Sequence, residues 1–303
     1  MLTKILAGVD GSPGSRDAAA LAALLGATTG AAVELVGVVH DPRMHLPRRG
    51  HRDLRTITEA AVLEVRDEMA PGAATRTIED HAPARGLQHA AEEDGASLLV
   101  LGSSQGGDPD CVRAGRTARQ AMRSAPCPVL VAARRSGAEP PPALTRIVVG
   151  VDGGEESRLA LLAARELAEA TGAHLHVVAV VDDRFPVSHV PGGAIIDLAD
   201  WERIVAEDRE HTQALLERLV PDEDGVTTEL REGDPTDGLV GAAIGADLLV
   251  IGSRRWGRLS RVVLGSTAED LVALAPCNVL VVPRPDSEPE HERGTSHQAD
   301  AAR

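Results

Sequence analysis

At 303 residues the chain is longer than one average domain and points to about two. No Tyr, one Phe and two Trp leave Ala, Val and Leu to fill the interior, which suits helix-on-sheet layers and argues against an aromatic platform for stacking bases or sugars. A formal charge of −15 repels a phosphate backbone and an anionic membrane surface, so neither nucleic acid nor membrane is an expected partner.

The first residues, MLTKILAGVDGS, lack the apolar core of a signal peptide, and no stretch reaches the roughly 18 apolar residues of a membrane span. Three cysteines, an odd number in a chain this long, suit reduced thiols, and the expectation is a cytoplasmic protein. KILAGVDGS (4 to 12) reads as a strand ending before Asp10, and a second strand ends at Val39. The Arg- and His-rich insert from His40 to Arg55 reads as a solvated loop, with a lid over the strand ends as the alternative. ASLLVLGSS (96 to 104) opens a loop from Gly102 to Gly115, and APCPVLVAAR (125 to 134) carries the last strand of this half. The segment SGAEPPP then reads as a linker.

The second half repeats the first. RIVVGVDGG (146 to 154), ADLLVIGSR (246 to 254) and APCNVLVVPR (275 to 284) match the three segments above, at an offset of 142 residues at the front and 150 at the back. Strands are expected near 146 to 151, 174 to 181, 226 to 231, 247 to 251 and 278 to 282, and helices near 155 to 171, 200 to 220, 236 to 245 and 266 to 274. Leu159, Leu162, Ala163, Leu167 and Ala170 form the expected core stripe of the first helix; Trp201, Ile204, Val205, Leu215 and Leu219 form that of the second. Right-handed crossovers give an α/β fold of two tandem doubly wound domains, each a five-stranded parallel sheet flanked by helices in the Rossmann-like manner. The expected division is domain 1 over 1 to 135, linker 136 to 143, domain 2 over 144 to 285, and a disordered polar tail over 286 to 303.

Ligands of open parallel sheets bind beyond the carboxyl ends of the strands. In the second half that places Asp152, Val180 and the loop GSRRWGRLSRVVLGST at the site, with Gly252 at one end and Gly265, Ser266 and Thr267 at the other. Amides at the start of the following helix offer a phosphate unpaired N–H groups and positive dipole, and Arg254, Arg255, Arg258 and Arg261 add cations. Each feature has a plainer reading. The arginines can pair with the acidic surface, Ser266 with Glu269 makes a capping box, and Asp152 before glycine makes a turn.

The order VDGS, then V[IL]GS at strand four, then a Gly-to-Gly-Ser loop, then APCPVLVV resembles the universal stress protein family over nearly all of both halves. Members that bind ATP share a G-x2-G-x9-G-[ST] loop, an acidic residue after strand one and a valine after strand two. The resemblance implies an adenine nucleotide, ATP alone or with Mg2+, held by Asp152, Val180, Gly252, Gly265 and Ser266. Arg255 stands where the second glycine belongs, and either adds charge to the phosphate site or blocks it. In the first half Asp10, Val39, Gly102 and Gly115 keep their places, but Gln105 replaces the second glycine, Arg116 replaces the hydroxyl, and Asp108 and Asp110 add negative charge, so this loop is the degenerate one.

Other motifs fall away. No G-x-G-x-x-G opens either half, GSRRWGRL lacks the lysine and hydroxyl of a P-loop, and VDGGEES has two defining positions of a pyrophosphatase loop wrong. Cys127 and Cys277 read as small core residues, and His174 with His176 lacks the partners for a zinc set, so no metal ligands and no catalytic residues are assigned. Two functions remain: a nucleotide-responsive stress protein that switches and does not turn over rapidly, or an interaction protein with decayed sites. The two sheets are expected to pair as an intramolecular pseudo-dimer, and an unpaired edge at 278 to 282 invites a homodimer through the last strands.

Overall fold

A computed structural model describes residues 2–40, 48–104, 111–134, 143–184, 198–221, 224–253 and 265–283. The first repeat runs β1 (Lys4–Gly8), α1 (Pro13–Thr29), β2 (Ala32–Val39), α2 (Arg48–Met69), β3 (Ala74–Glu79), α3 (Pro83–Glu93), β4 (Leu98–Gly102), α4 (Arg116–Met122) and β5 (Val129–Ala132). The second runs β6 (Arg146–Gly150), α5 (Glu155–Thr171), β7 (His174–Val181), α6 (Leu198–Leu219), β8 (Val226–Glu232), α7 (Pro235–Ala242), β9 (Leu248–Gly252), α8 (Ser266–Leu274) and β10 (Asn278–Val282).

The strands form one ten-stranded sheet in the order β3-β2-β1-β4-β5-β10-β9-β6-β7-β8. Within each repeat every pairing is parallel; the single antiparallel pairing joins β5 to β10, with Leu130 opposite Leu280. This corrects the expectation of a free edge at 278 to 282. The last strands satisfy each other's backbone groups inside one chain, so a homodimer cannot form there, and the edges of the sheet are β3 and β8. Where the first repeat has Pro128 the second has Asn278, whose Oδ1 accepts from Ala133 N at 2.9 Å and whose Nδ2 donates to Asp247 O at 2.7 Å. That side chain fastens the junction from both sides.

Strands as apolar as VLVA and NVLVV need cover on both faces. One layer unites α1 and α5 with residues such as Leu25, Leu130, Leu167 and Leu280; the other holds Leu87, Met122, Leu239 and Leu271 from α3, α4, α7 and α8. Both layers run unbroken from one repeat to the other. The helix faces depart from the expected stripes. In α5 the buried apolar residues are Ala160, Leu161, Ala164, Leu167 and Ala168, while Leu162 is 59% exposed. Leucines on neighbouring positions leave the apolar face ambiguous by about one residue, and the smaller alanines face the sheet. Among the described residues of α6 only Leu215 and Leu216 are deeply buried, near its carboxyl end, and Ile204 is 41% exposed.

At the amino ends of the first-repeat strands, Lys4 pairs with Glu34 and Asp94, each at 2.9 Å, and Arg76 pairs with the same two carboxylates. The hydrogen bond from Lys4 holds the Asp94 carboxyl below its ordinary value, and hydrogen bonds to Glu34 and Asp94 raise Lys4. A depressed carboxylate adds stability above its unfolded value of about 3.9 that is lost as pH falls through the folded one; a raised lysine adds stability below about 10.4 that is lost as pH rises through its folded value. Asp94→Asn should therefore lower the thermal midpoint at pH 7, and the gap from the unsubstituted protein should close as pH falls below about 4 and through the depressed folded value.

Candidate functional site

Beyond the carboxyl ends of β6, β7 and β9 lies a cavity of about 400 Å3. Asp152, Val180, Gly252, Gly265, Ser266 and Thr267 all line it, although they come from four separate segments of the chain. β6 ends into the Asp-Gly turn that the sequence suggests: Asp152 Oδ1 accepts from Gly154 N at 2.9 Å, and Gly153 takes φ 80°, a left-handed value that disfavours any side chain. Ser157, buried in the first turn of α5, donates to Gly154 O at 3.0 Å and accepts from Asp152 N at 3.3 Å, fixing the turn from below.

Gly252 has a packing role of its own. A Cβ there would meet the backbone of Glu156 at 2.6 Å (carbon) and 2.7 Å (oxygen). Gly102 meets Gly14 in the same way in the first repeat. The glycine that ends strand four therefore lets the first turn of α1 or α5 press against the strand, with or without a ligand.

α8 begins differently from the capping box expected of Ser266 and Glu269. Its N-cap is Gly265, Ser266 is already the first helical residue, and the glycine supplies no side-chain cap. Glu269 turns away to Arg123 of α4, 2.7 Å distant. The first-turn amides have no partner along the helix, and the residues that carry them, Ser266, Thr267 and Ala268, line the cavity. By contrast, α7 beside it is closed by Asp234, which accepts from Thr236 N at 2.7 Å and Asp237 N at 3.1 Å. Arg254, Arg255, Arg258 and Arg261 lie outside the described residues. Ser253, only 1% exposed, has no partner for its hydroxyl among the described residues, whereas its counterpart Ser103 donates to Ala132 O at 2.7 Å and accepts from Arg113 N at 3.0 Å.

The first repeat keeps a matching cavity of about 320 Å3, lined by Asp10, Gly102 and Gly115 and by Arg116, the first residue of α4. Asp10 Oδ1 accepts from Ser12 N at 3.0 Å, the turn seen at Asp152. Val39 is not on this wall. It is 3% exposed, and Val38 lines the cavity in its place. Val180 pairs with Val38 at the front offset of 142, and side chains alternate faces along a strand, so a slip of one residue turns the wrong valine to the site. Gln105, Asp108 and Asp110 lie outside the described residues.

Several wall residues escape the sequence reading. Pro235 and Leu239 at the start of α7, and Pro83 and Leu87 at the start of α3, close the two cavities on the side of the outer strands. HAPARGL and GDPTDGL repeat across the two halves and carry that signal. Glu156 also lines the second cavity, at the position held by Gly14 in the first repeat. With Asp152 it makes the described ionisable groups on that wall acidic.

Cys127 and Cys277 are buried, and desolvation pushes both thiols up to about 12, which makes them core residues without nucleophilic character at neutral pH. His176 lies between Thr227 and Glu229, 2.8 Å from each. No group of three or more metal-ligating side chains occurs among the described residues, and none of their helices is long and apolar enough to cross a membrane.

The family model described as "Universal stress protein family" matches residues 1–133 and again 144–283. The chain belongs to this family. As a tandem universal stress protein it is similar to a Thermus aquaticus protein named universal stress protein in QAH/OAS sulfhydrylase 3'region, with 34% identity over 138 residues, 45% of this chain and 96% of that one. Similarity to universal stress protein Rv2623 of Mycobacterium tuberculosis spans both repeats, with 28% identity over 222 residues, 72% of this chain and 68% of the relative. The crystal structure of a universal stress protein from Archaeoglobus fulgidus shares the fold, with a TM-score of 0.64 and 20% identity over 93% of this chain and 98% of that one.

Proposed function

We propose that the second repeat binds ATP or a related adenine nucleotide, and that the protein is a cytoplasmic stress-response switch whose stability or surface responds to that ligand. The observation that carries this reading is the convergence of Asp152, Val180, Gly252 and the glycine-capped start of α8 on one cavity of about 400 Å3, within the roughly 300–1,000 Å3 usual for small-molecule sites. Phosphates belong at the first-turn amides of α8, where unpaired N–H groups and helix dipole favour negative charge. The base and sugar belong toward Val180, Leu239 and Asp152, where apolar wall and a single carboxylate meet. Asp152 and Glu156 oppose a highly charged ligand, so the amides must outweigh them.

Calorimetric titration of ATP with Mg2+ into the whole chain tests the reading. One site per chain, weakened at least about tenfold by Ser266→Trp, is the expected result. No heat and no thermal stabilisation at millimolar ATP would sink it and leave an interaction protein with decayed sites.

A further inference from the structure

The first repeat ends its own cavity with a short segment that also grips the second. Between the cavity residue Gly115 and Cys111, the amide of Ala114 donates to Val272 O at 2.7 Å and the amide of Val112 donates to Ala275 O at 2.9 Å. Those carbonyls belong to the last turn of α8 and the residue that closes it, where backbone acceptors have no partner along the helix. Val112 and Ala114 are 0% and 3% exposed, so neither donor has water as an alternative, and losing either bond would strand buried polar groups. The far end of the same helix, nine residues or about 13 Å away, carries the amides that line the second cavity. Arg123 of α4 adds a surface ion pair to Glu269 of α8 at 2.7 Å.

We infer that the 112–114 segment of the first repeat is the positioning element of the second repeat's ligand site, so that α8 acts as a rigid rod through which the two cavities sense each other. A short helix has few ways to move. Held at its carboxyl end by two buried hydrogen bonds, α8 presents its amino-terminal amides in one orientation; released, it can pivot and the amides lose their common focus. The segment that holds it runs directly into Gly115 and Arg116 on the first cavity's wall. Occupancy of either cavity that steadies its wall should therefore steady the other, which is positive coupling. The degenerate first loop thereby has a use that needs no nucleotide of its own. This inference rests on the nucleotide reading for its binding arm and on hydrogen bonding alone for its exchange arm.

The test compares Ala114→Pro, which removes the donor, with Ala114→Gly, which keeps it. Ala114→Pro should raise hydrogen exchange at the amides of residues 269 to 275 and weaken ATP binding about tenfold, with protection on β1 and β7 unchanged. Ala114→Gly should stay within about twofold of the unsubstituted protein in both. In the unsubstituted protein, ATP should slow exchange at the amides of Val112 and Ala114 at least about fivefold. ATP binding without that slowing overturns the coupling even if Ala114→Pro proves unable to fold. If ATP does not bind at all, the nucleotide reading falls by itself, and unchanged α8 exchange in a folded Ala114→Pro protein still overturns the positioning role.

Discussion

Gly102→Ala is expected to destabilise the first repeat by about 3 kcal/mol or more, the upper part of the range for overpacking a closed interior. The added methyl falls on the carbonyl of Gly14, which is main chain and cannot rotate aside, and the Ser103 carbonyl lies where a side chain on Gly14 would stand. Relief requires α1 to lift from β4, a contact that buries Leu21, Leu25 and Val100. At roughly 2–4 °C per kcal/mol for a chain of this size, the thermal midpoint should fall by about 6–12 °C in calorimetry. Gly252→Ala meets Glu156 at the longer distances of 2.6 and 2.7 Å and should shift the second repeat less. A Gly102→Ala protein that melts like the unsubstituted one would mean that strand four and the first helix turn are not in the contact described.

That result separates two meanings of one glycine. In a sequence, Gly102 and Gly252 read as openings for a phosphate, because the family loop begins on them. In the structure their lack of a side chain is already accounted for by the helix lying against the strand, so the ligand case must rest on Gly265 and the first turn of α8.

The strands are legible because Val, Ile and Leu runs between helices have few alternatives, and the internal repeat makes each half check the other. β7 and β10 lie where the apolar runs indicate, at His174–Val181 and Asn278–Val282. What the sequence leaves open depends on rotation and on long-range pairing. Leu162 resembles a core residue because α5 carries leucines on adjacent positions; only the sheet beneath it decides which side is covered. Val39 and Val38 are hard to tell apart in a sequence, yet a one-residue slip changes everything about which face a strand residue occupies. The β5–β10 pairing consumes the edge that suggests a homodimer, and no local pattern distinguishes a partner in the same chain from one in another. Ser266 has the chemistry of an N-cap, but α8 starts one residue earlier than that role requires, with Gly265 as the cap in the extended conformation at φ −63° and ψ 158°.

Because any residue can adopt that conformation, Gly265→Asp should raise stability and weaken ATP binding at the same time. An aspartate at this N-cap can accept from the amides of Thr267 and Ala268 as Asp234 does for α7, worth a few tenths of a kcal/mol over glycine and up to about 1 more from the helix dipole. The thermal midpoint should then rise by about 1–4 °C. The same carboxylate occupies the donors meant for phosphate and brings a full negative charge within about 4 Å of it, beside the acidic Asp152 and Glu156. ATP affinity should fall about a hundredfold, and Gly265→Asn, a neutral cap, should lie between the two. Stability and affinity moving in opposite directions would place the phosphates at the start of α8. A stabilised protein that binds ATP as before would move them elsewhere in the cavity, and the acidic wall would have to be read as facing the phosphates' counter-ion.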